Sequence, residues 1–350
     1  MISPRRPFTA LPPMVLFALA TLLPVALIGV AAMRGGGWAL AALLVMTAMA
    51  AGLDALVARV TPALEGAEFP AGDALSVTLG LAHFALIALV LPALAGPGLG
   101  PAAKLGVFVA AGLFFGQVSH PNAHELIHRG GRVLHGLGVA LYVSLLYGHH
   151  ASAHVLVHHV HVATRSDPST ARRGESFYRF ARRGWMGAFR AGLRAEAARL
   201  ARVGRPGWRN PYVIYVFGAV LTLAAAFALA GIVGVALWLG LAAFAQVQIL
   251  MSDYVQHYGL TRSTLPSGRA EPVRPRHSWN SPHWYSSAMM LNAPRHSDHH
   301  AHPARPYPAL RLDAGPELPH SLPVMACIAL WPRLWRRVMD PRVAAWEAQS

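Results

Sequence analysis

The sequence predicts an all-α integral membrane protein: six transmembrane helices with interfacial helices and a histidine-rich cap on the cytoplasmic side. Three observations predict it. Of 350 residues, 54% are hydrophobic and 13% charged, with a mean hydropathy of +0.39, whereas a soluble domain is about one quarter charged. Apolar runs of about twenty residues, the length that crosses a bilayer, recur along the chain. Histidines gather in four groups, each just past the end of an apolar run. The net charge of +15 and pI of 11.2 come mostly from arginines between those runs, which suits loops facing anionic lipid better than a nucleic-acid partner. The single cysteine, Cys327, excludes a disulfide framework and a four-thiolate iron–sulfur centre in this chain.

Taken in order, residues 12–33 and 38–58 form a helical hairpin around Arg34-Gly35-Gly36-Gly37. The apolar stretch after Arg5 and Arg6 has no clear small-residue cleavage site, so a retained first helix is expected rather than a cleaved signal peptide. Arg59, Glu65, Glu68 and Asp73 return the chain to water before spans at 74–95 and 102–123. Four crossings place the first histidine run, His124-Glu125-Leu126-Ile127-His128, on the side of Arg5 and Arg6. The apolar run 133–148 is short for a crossing and contains His135 and three glycines. It reads as an interfacial or re-entrant helix, which keeps the histidine runs on either side of it on one face. Residues 162–210 carry twelve arginines against Asp167, Glu175 and Glu196, as a cytoplasmic loop does. Two more spans, 212–231 and 233–252, return the chain to the same face at His257. The cap therefore comprises 124–210 and 253–350, and 1–350 is one domain. The apolar piece 321–331, followed by Arg333, Arg336 and Arg337, reads as interfacial.

Imidazole is the commonest protein metal ligand and binds as a neutral donor. Residues four apart on a helix share a face, so His124 with His128 and His154 with His158 can each point at one ion. His159 is turned by about 100° and reaches a second ion or the other side of the site. His296, His299 and His300 repeat the arrangement. With His257, nine histidines exceed what one ion takes, and two metal ions are implied. HELIH also matches the HExxH pattern of zinc peptidases, but a catalytic zinc takes three protein ligands and keeps a position open.

The run HELIHR, the run His154-x-x-x-His158-His159 followed by Val162-Ala163-Thr164, the stretch Asp253 to Leu260, and PRHSWNS with RHSDHHAHP together resemble the membrane-bound alkane 1-monooxygenases of the fatty-acid desaturase/hydroxylase superfamily. The resemblance covers roughly residues 70–310. It implies a six-helix membrane fold, a diiron centre on the cytoplasmic side of a bacterial inner membrane, and O2 as co-substrate. It also implies a substrate channel among the helices. The ligands it implies are His124, His128, His154, His158, His159, His257, His296, His299 and His300. The implied reaction is hydroxylation of an unactivated C–H bond, the terminal methyl of a medium-chain alkane or related hydrocarbon. Electrons come from an external rubredoxin or ferredoxin with its reductase. The acidic residue that usually precedes the second run is Ala153 here, which bears on substrate range and rate more than on reaction type. Glu125, Asp167, Glu175, Asp253, Asp298, His277 and Asn280 are the candidates for groups that orient the ligands. A fatty-acyl desaturase or hydroxylase on the same scaffold is the alternative. A membrane metal-binding or transport protein is a further one, although transporters place ligands near the midplane on broken helices.

The remaining histidines and aromatics have plainer readings. His83, in mid-span, is either functional or a hydrogen-bonded packing residue. His120, His135, His149, His150 and His161 border the runs without ligating. His302 and His320 are expected at the surface, and Trp279, Trp284 and Tyr285 as interfacial anchors.

Overall fold

The computed structural model describes residues 13–56, 69–312 and 315–349. Arg5, Arg6, Arg59, Glu65 and Glu68, and the ends of two expected spans, lie outside the described residues. Among the described residues the chain is helical, with isolated bridges and no strand. Among the described residues, five helices are long and apolar enough to cross a membrane. We number the helices α1 (Pro13–Arg34), α2 (Gly37–Leu56), α3 (Phe69–Ala95), α4 (Pro101–Ile127), α5 (Arg132–Ser144), α6 (residues 149–161), α7 (Phe177–Arg202), α8 (Pro211–His257), α9 (Trp284–Met289), α10 (His296–Ala301), α11 (Leu322–Ala329) and α12 (Pro332–Glu347).

The turn between α1 and α2 needs positive φ at two successive residues, 62° at Gly35 and 60° at Gly36, which glycine adopts without strain. The fifth long helix, α8, stands where two spans were expected. Its helical winding fails at Ala230 and Gly231. A Cβ built on Gly234 would lie 2.4 Å from the carbonyl oxygen of Ala226, eight residues earlier. A straight helix separates residues eight apart by about 12 Å, so the chain reverses here into two packed halves. Val213, Ile214, Phe217, Ile232 and Val233 stay exposed along them, as side chains facing lipid do.

Helix α5, 13 residues long, is not among the helices long enough to cross. Its far end at Ser144 accepts from Trp238 Nε1 (2.9 Å) through the carbonyl and from His83 Nε2 (2.8 Å) through the hydroxyl, which itself donates to Leu141 O. After Leu146, with φ of 55°, the chain turns back into α6. The chain thus doubles back at the end of 133–148. His83 bonds Ser119 Oγ with its other nitrogen (2.7 Å) and is a satisfied packing residue.

The basic stretch 162–210 is mostly helix rather than loop. In α7, Phe177, Phe180, Gly184, Ala188, Gly192, Glu196 and Leu200 are buried at intervals of three and four, a stripe that packs inward while the arginines face out. Together with the end of α8, α11 and α12 it encloses an aromatic core in the cap, including Phe180, Tyr254, Tyr258, Trp279 and Trp335. Trp279 is 2% exposed and donates to Tyr258 O, and Tyr285 is 6% exposed, so neither is an interfacial anchor. Trp331, 70% exposed, fits that role.

Candidate metal centre

The four histidine groups converge. His124 and His128 close α4, His154, His158 and His159 lie in α6, His257 closes α8, and His296, His299 and His300 lie in α10. Their ligand nitrogens fall into two sets, His124, His128, His154, His159 and His299 in one, and His158, His257, His296 and His300 in the other. Within each set all the nitrogens lie within 4.8 Å of one another.

The Nε2 atoms face each other at 2.8 Å (His124 and His154), 2.9 Å (His154 and His159) and 3.1 Å (His159 and His299) in the first set. In the second they stand 2.9 Å (His257 and His296) and 3.1 Å (His296 and His300) apart. A neutral imidazole nitrogen is either donor or acceptor, so a row of four cannot all be satisfied by one another. Two nitrogens bound at right angles to one ion at about 2.1 Å sit about 3.0 Å apart. The buried Nε2 atoms of His128 and His158 have no hydrogen-bond partner. These observations fit a transition-metal centre held by neutral nitrogen donors.

The electrostatics agree. Burial first, and then neighbouring imidazoles, hold His128 down to about 4 and His296 to about 3, and push His154, His159, His299 and His300 well below the ordinary range. All are neutral at pH 7, with lone pairs free for a metal. His158 is the exception: burial lowers it, but the Asp167 carboxylate outweighs burial and raises it.

The structure divides the second run differently from the sequence reading. His154 pairs with His159 and not with His158. The cause is a π-helical turn at His154–His158. Such a turn closes i→i+5, so residues five apart align and His158 swings to the other set. In α10, which winds as an ordinary α-helix, the i,i+4 pair His296 and His300 shares a set and His299 goes to the other.

The expected orienting groups separate by position. Asp167 Oδ2 accepts from His158 Nδ1 (2.8 Å) and Thr170 Oγ1 (2.7 Å), and Oδ1 accepts from Ser169 N (3.0 Å). The carbonyl of His277 accepts from the His257 ring. Asn280 Oδ1 accepts from Ser297 N (3.0 Å), holding the first turn of α10. Asp253 is buried, takes a hydrogen bond from Ser169 and leaves Oδ2 unpartnered. Asp298 accepts from His302 Nδ1 (2.8 Å), Arg305 and Arg311 N (2.8 Å), bracing the loop after α10. Glu125 pairs with Arg129 (2.9 Å) and accepts from Tyr307 N (3.2 Å), tying the end of α4 to that loop. Glu175 pairs with Arg183 (2.8 Å) and is not brought to the histidines.

One residue was missed. Asp54, buried in α2, accepts from Tyr285 N (2.8 Å) and Ser286 N (3.1 Å) and caps α9, which leads into the third run. The available signal was a lone acid inside an otherwise apolar run.

On the membrane side of the centre lies a cavity of about 560 Å³, lined mainly by apolar residues such as Met46, Leu113, Phe244 and Met251. It reaches His120, whose ring is 6.2 Å from that of His124.

A family model described as fatty acid desaturase matches residues 99–326, and the chain belongs to that family. It is 38% identical over 249 residues to alkane 1-monooxygenase 2 of Pseudomonas aeruginosa, covering 70% of this chain and 66% of that protein. Alkane 1-monooxygenase 1 of the same organism is 39% identical, with 70% and 65% covered. The xylene/toluene monooxygenase hydroxylase component of Pseudomonas putida is 28% identical over 262 residues, with 71% and 66% covered. The chain spans just under two thirds of the length of these relatives.

Proposed function

We propose that the chain is an O2-dependent monooxygenase that hydroxylates the terminal methyl of a medium-chain alkane or related hydrocarbon. The observation that carries this reading is the division of nine histidines, most of them buried, into two tight nitrogen sets, supported by the similarity to alkane 1-monooxygenases. The two sets would hold two iron ions, with all nine histidines as ligands. When bound, the iron pair supplies the activation of O2 that attack on an unactivated C–H bond requires.

The chain's own residues prepare that chemistry. The i,i+5 and i,i+4 pairs fix the ring directions, and Asp167 and the His277 carbonyl hold His158 and His257 in one tautomer and orientation. The cavity takes the hydrocarbon out of lipid and brings one end toward His120 and the histidine sets. The two halves of α8 count as separate crossings, giving six, with the cap on the cytoplasmic side of a bacterial inner membrane. The arginines of α7 lie on that side and suit a small acidic electron carrier, a rubredoxin or ferredoxin served by its reductase.

The test is to supply the iron-loaded membrane protein with a reductase system, O2 and a panel of alkanes, aryl methyls and fatty acids, and to identify products. Primary alcohols from alkanes are expected. A double bond in a fatty-acyl chain would overturn the reading in favour of the desaturase alternative.

A further inference from the structure

The first two histidine runs extend one helical turn toward the membrane, since His120 lies four residues before His124 and His150 four before His154. Neither belongs to the two nitrogen sets. His120 Nδ1 bonds the Tyr142 hydroxyl at 3.0 Å, and the residue also lines the cavity. With the tyrosine donating, the imidazole proton sits on Nε2, a donor. Three residues earlier on the same helix, Gln117 lines the same cavity. Its Nε2 donates to Gln248 at 3.5 Å, and its Oε1 is buried without a partner. Unpaired buried carbonyl oxygens are rare in folded proteins, and each needs an explanation.

A hydroxyl group within reach of both atoms would answer them, since it accepts one hydrogen bond and donates another. An alkane answers neither. A carboxylate only accepts, and so has no proton for the unpaired Gln117 Oε1. We propose that the end of the cavity nearest the histidines is a hydroxyl subsite, built on His120 and Gln117, that takes a long-chain primary alcohol with its tail along Met46, Leu113 and Phe244. The inference rests on the proposed reaction for its meaning, because a primary alcohol is that reaction's product. It assigns the enzyme a product-retaining site that competes with fresh alkane.

The chain supplies its own probe, since its single cysteine, Cys327, is exposed on the cavity wall. The labelling rate of Cys327 by N-ethylmaleimide is measured on the full chain in lipid nanodiscs, without turnover, against increasing mole fractions of dodecane, 1-dodecanol and dodecanoic acid. Dodecanol should give half-protection at about tenfold lower mole fraction than dodecane, the equivalent of about 1.4 kcal/mol. Gln117→Met keeps the length of the side chain and removes the acceptor; it should cut that advantage to about threefold or less while leaving protection by dodecane unchanged. Tyr142→Phe should move the advantage the same way. Equal protection by dodecane and dodecanol, no protection by dodecanol, strongest protection by the acid, or an undiminished advantage in Gln117→Met would each overturn the subsite. Alcohol formed from alkane without a dodecanol preference sinks this inference alone. A dodecanol preference without alkane oxidation sinks the reaction and leaves the subsite standing.

Discussion

The second and third histidine runs each send two rings to one nitrogen set and one ring to the other, but they do it on different windings. In the third, His296-x-x-His299-His300, ordinary α-helix pairs residues four apart. In the second, His154-x-x-x-His158-His159, the spelling has one residue more, and the π turn absorbs it so that residues five apart pair instead. A π bulge is a one-residue insertion that leaves the flanking helix in phase. The two spellings therefore build one geometry. What differs is the bracing: His158 of the second run leans on Asp167, whereas the rings of the third are placed through Asn280 and Asp298, which hold the backbone and loop of α10.

This comparison can be broken or sharpened by experiment. The largest effect is expected from removing a ligand: His158→Ala or His296→Ala should lower metal content and cut turnover by well over about 100-fold, beyond the range of an orienting residue. Iron per chain by elemental analysis and product formation check it. Next, inserting an alanine between Asp298 and His299 gives the third run the spelling of the second without its bulge. Iron content should fall, and recovery of full content would show that winding is not what divides the rings. Asp167→Asn should then weaken iron retention about 10- to 100-fold, read as loss to a chelator over time, and Ala153→Glu should not restore it.

Acid should act on the metal-free protein as a whole. His128 and His296 have folded values near 4 and 3, and His277 near 4, all depressed chiefly by burial. The unfolded chain takes up protons first, from about pH 6.5 downward. The stability these groups contribute is present above that value and is lost as pH falls toward 4, while His158 contributes in the opposite direction. The melting temperature of the metal-free protein should therefore drop on acidification across that window, and a flat profile would contradict the assignment of neutral buried rings. The smallest effect belongs to deletion of Leu156. It turns the second run into the spelling of the third, the bulge straightens, and iron content should stay near that of the parent.

Much of this was legible in the sequence. The apolar runs marked the membrane helices, and the four groups past their ends marked the centre, because hydropathy and ligand chemistry are local properties. The shortness of the helix in 133–148 was legible too, from the length of its apolar run. The π turn was not, since nothing in Val155, Leu156 and Val157 distinguishes it from ordinary helix; closure of the site imposes it. Helix α7 could have been found from the spacing of Phe177, Phe180, Gly184 and Ala188, but the density of arginines drew the reading toward loop. Glu175 was selected on charge alone and proved to serve Arg183.

The bond from Asp54 to the start of α9 spans 231 residues of sequence. Asp54 is made well before the segment it holds, and the three ligands just beyond that segment follow later still. A nascent chain that stops short of His296 has six of the nine imidazoles and neither set complete. A centre that needs all nine imidazoles thus cannot close until His300 has been made, and a contact of such long range is slow to form.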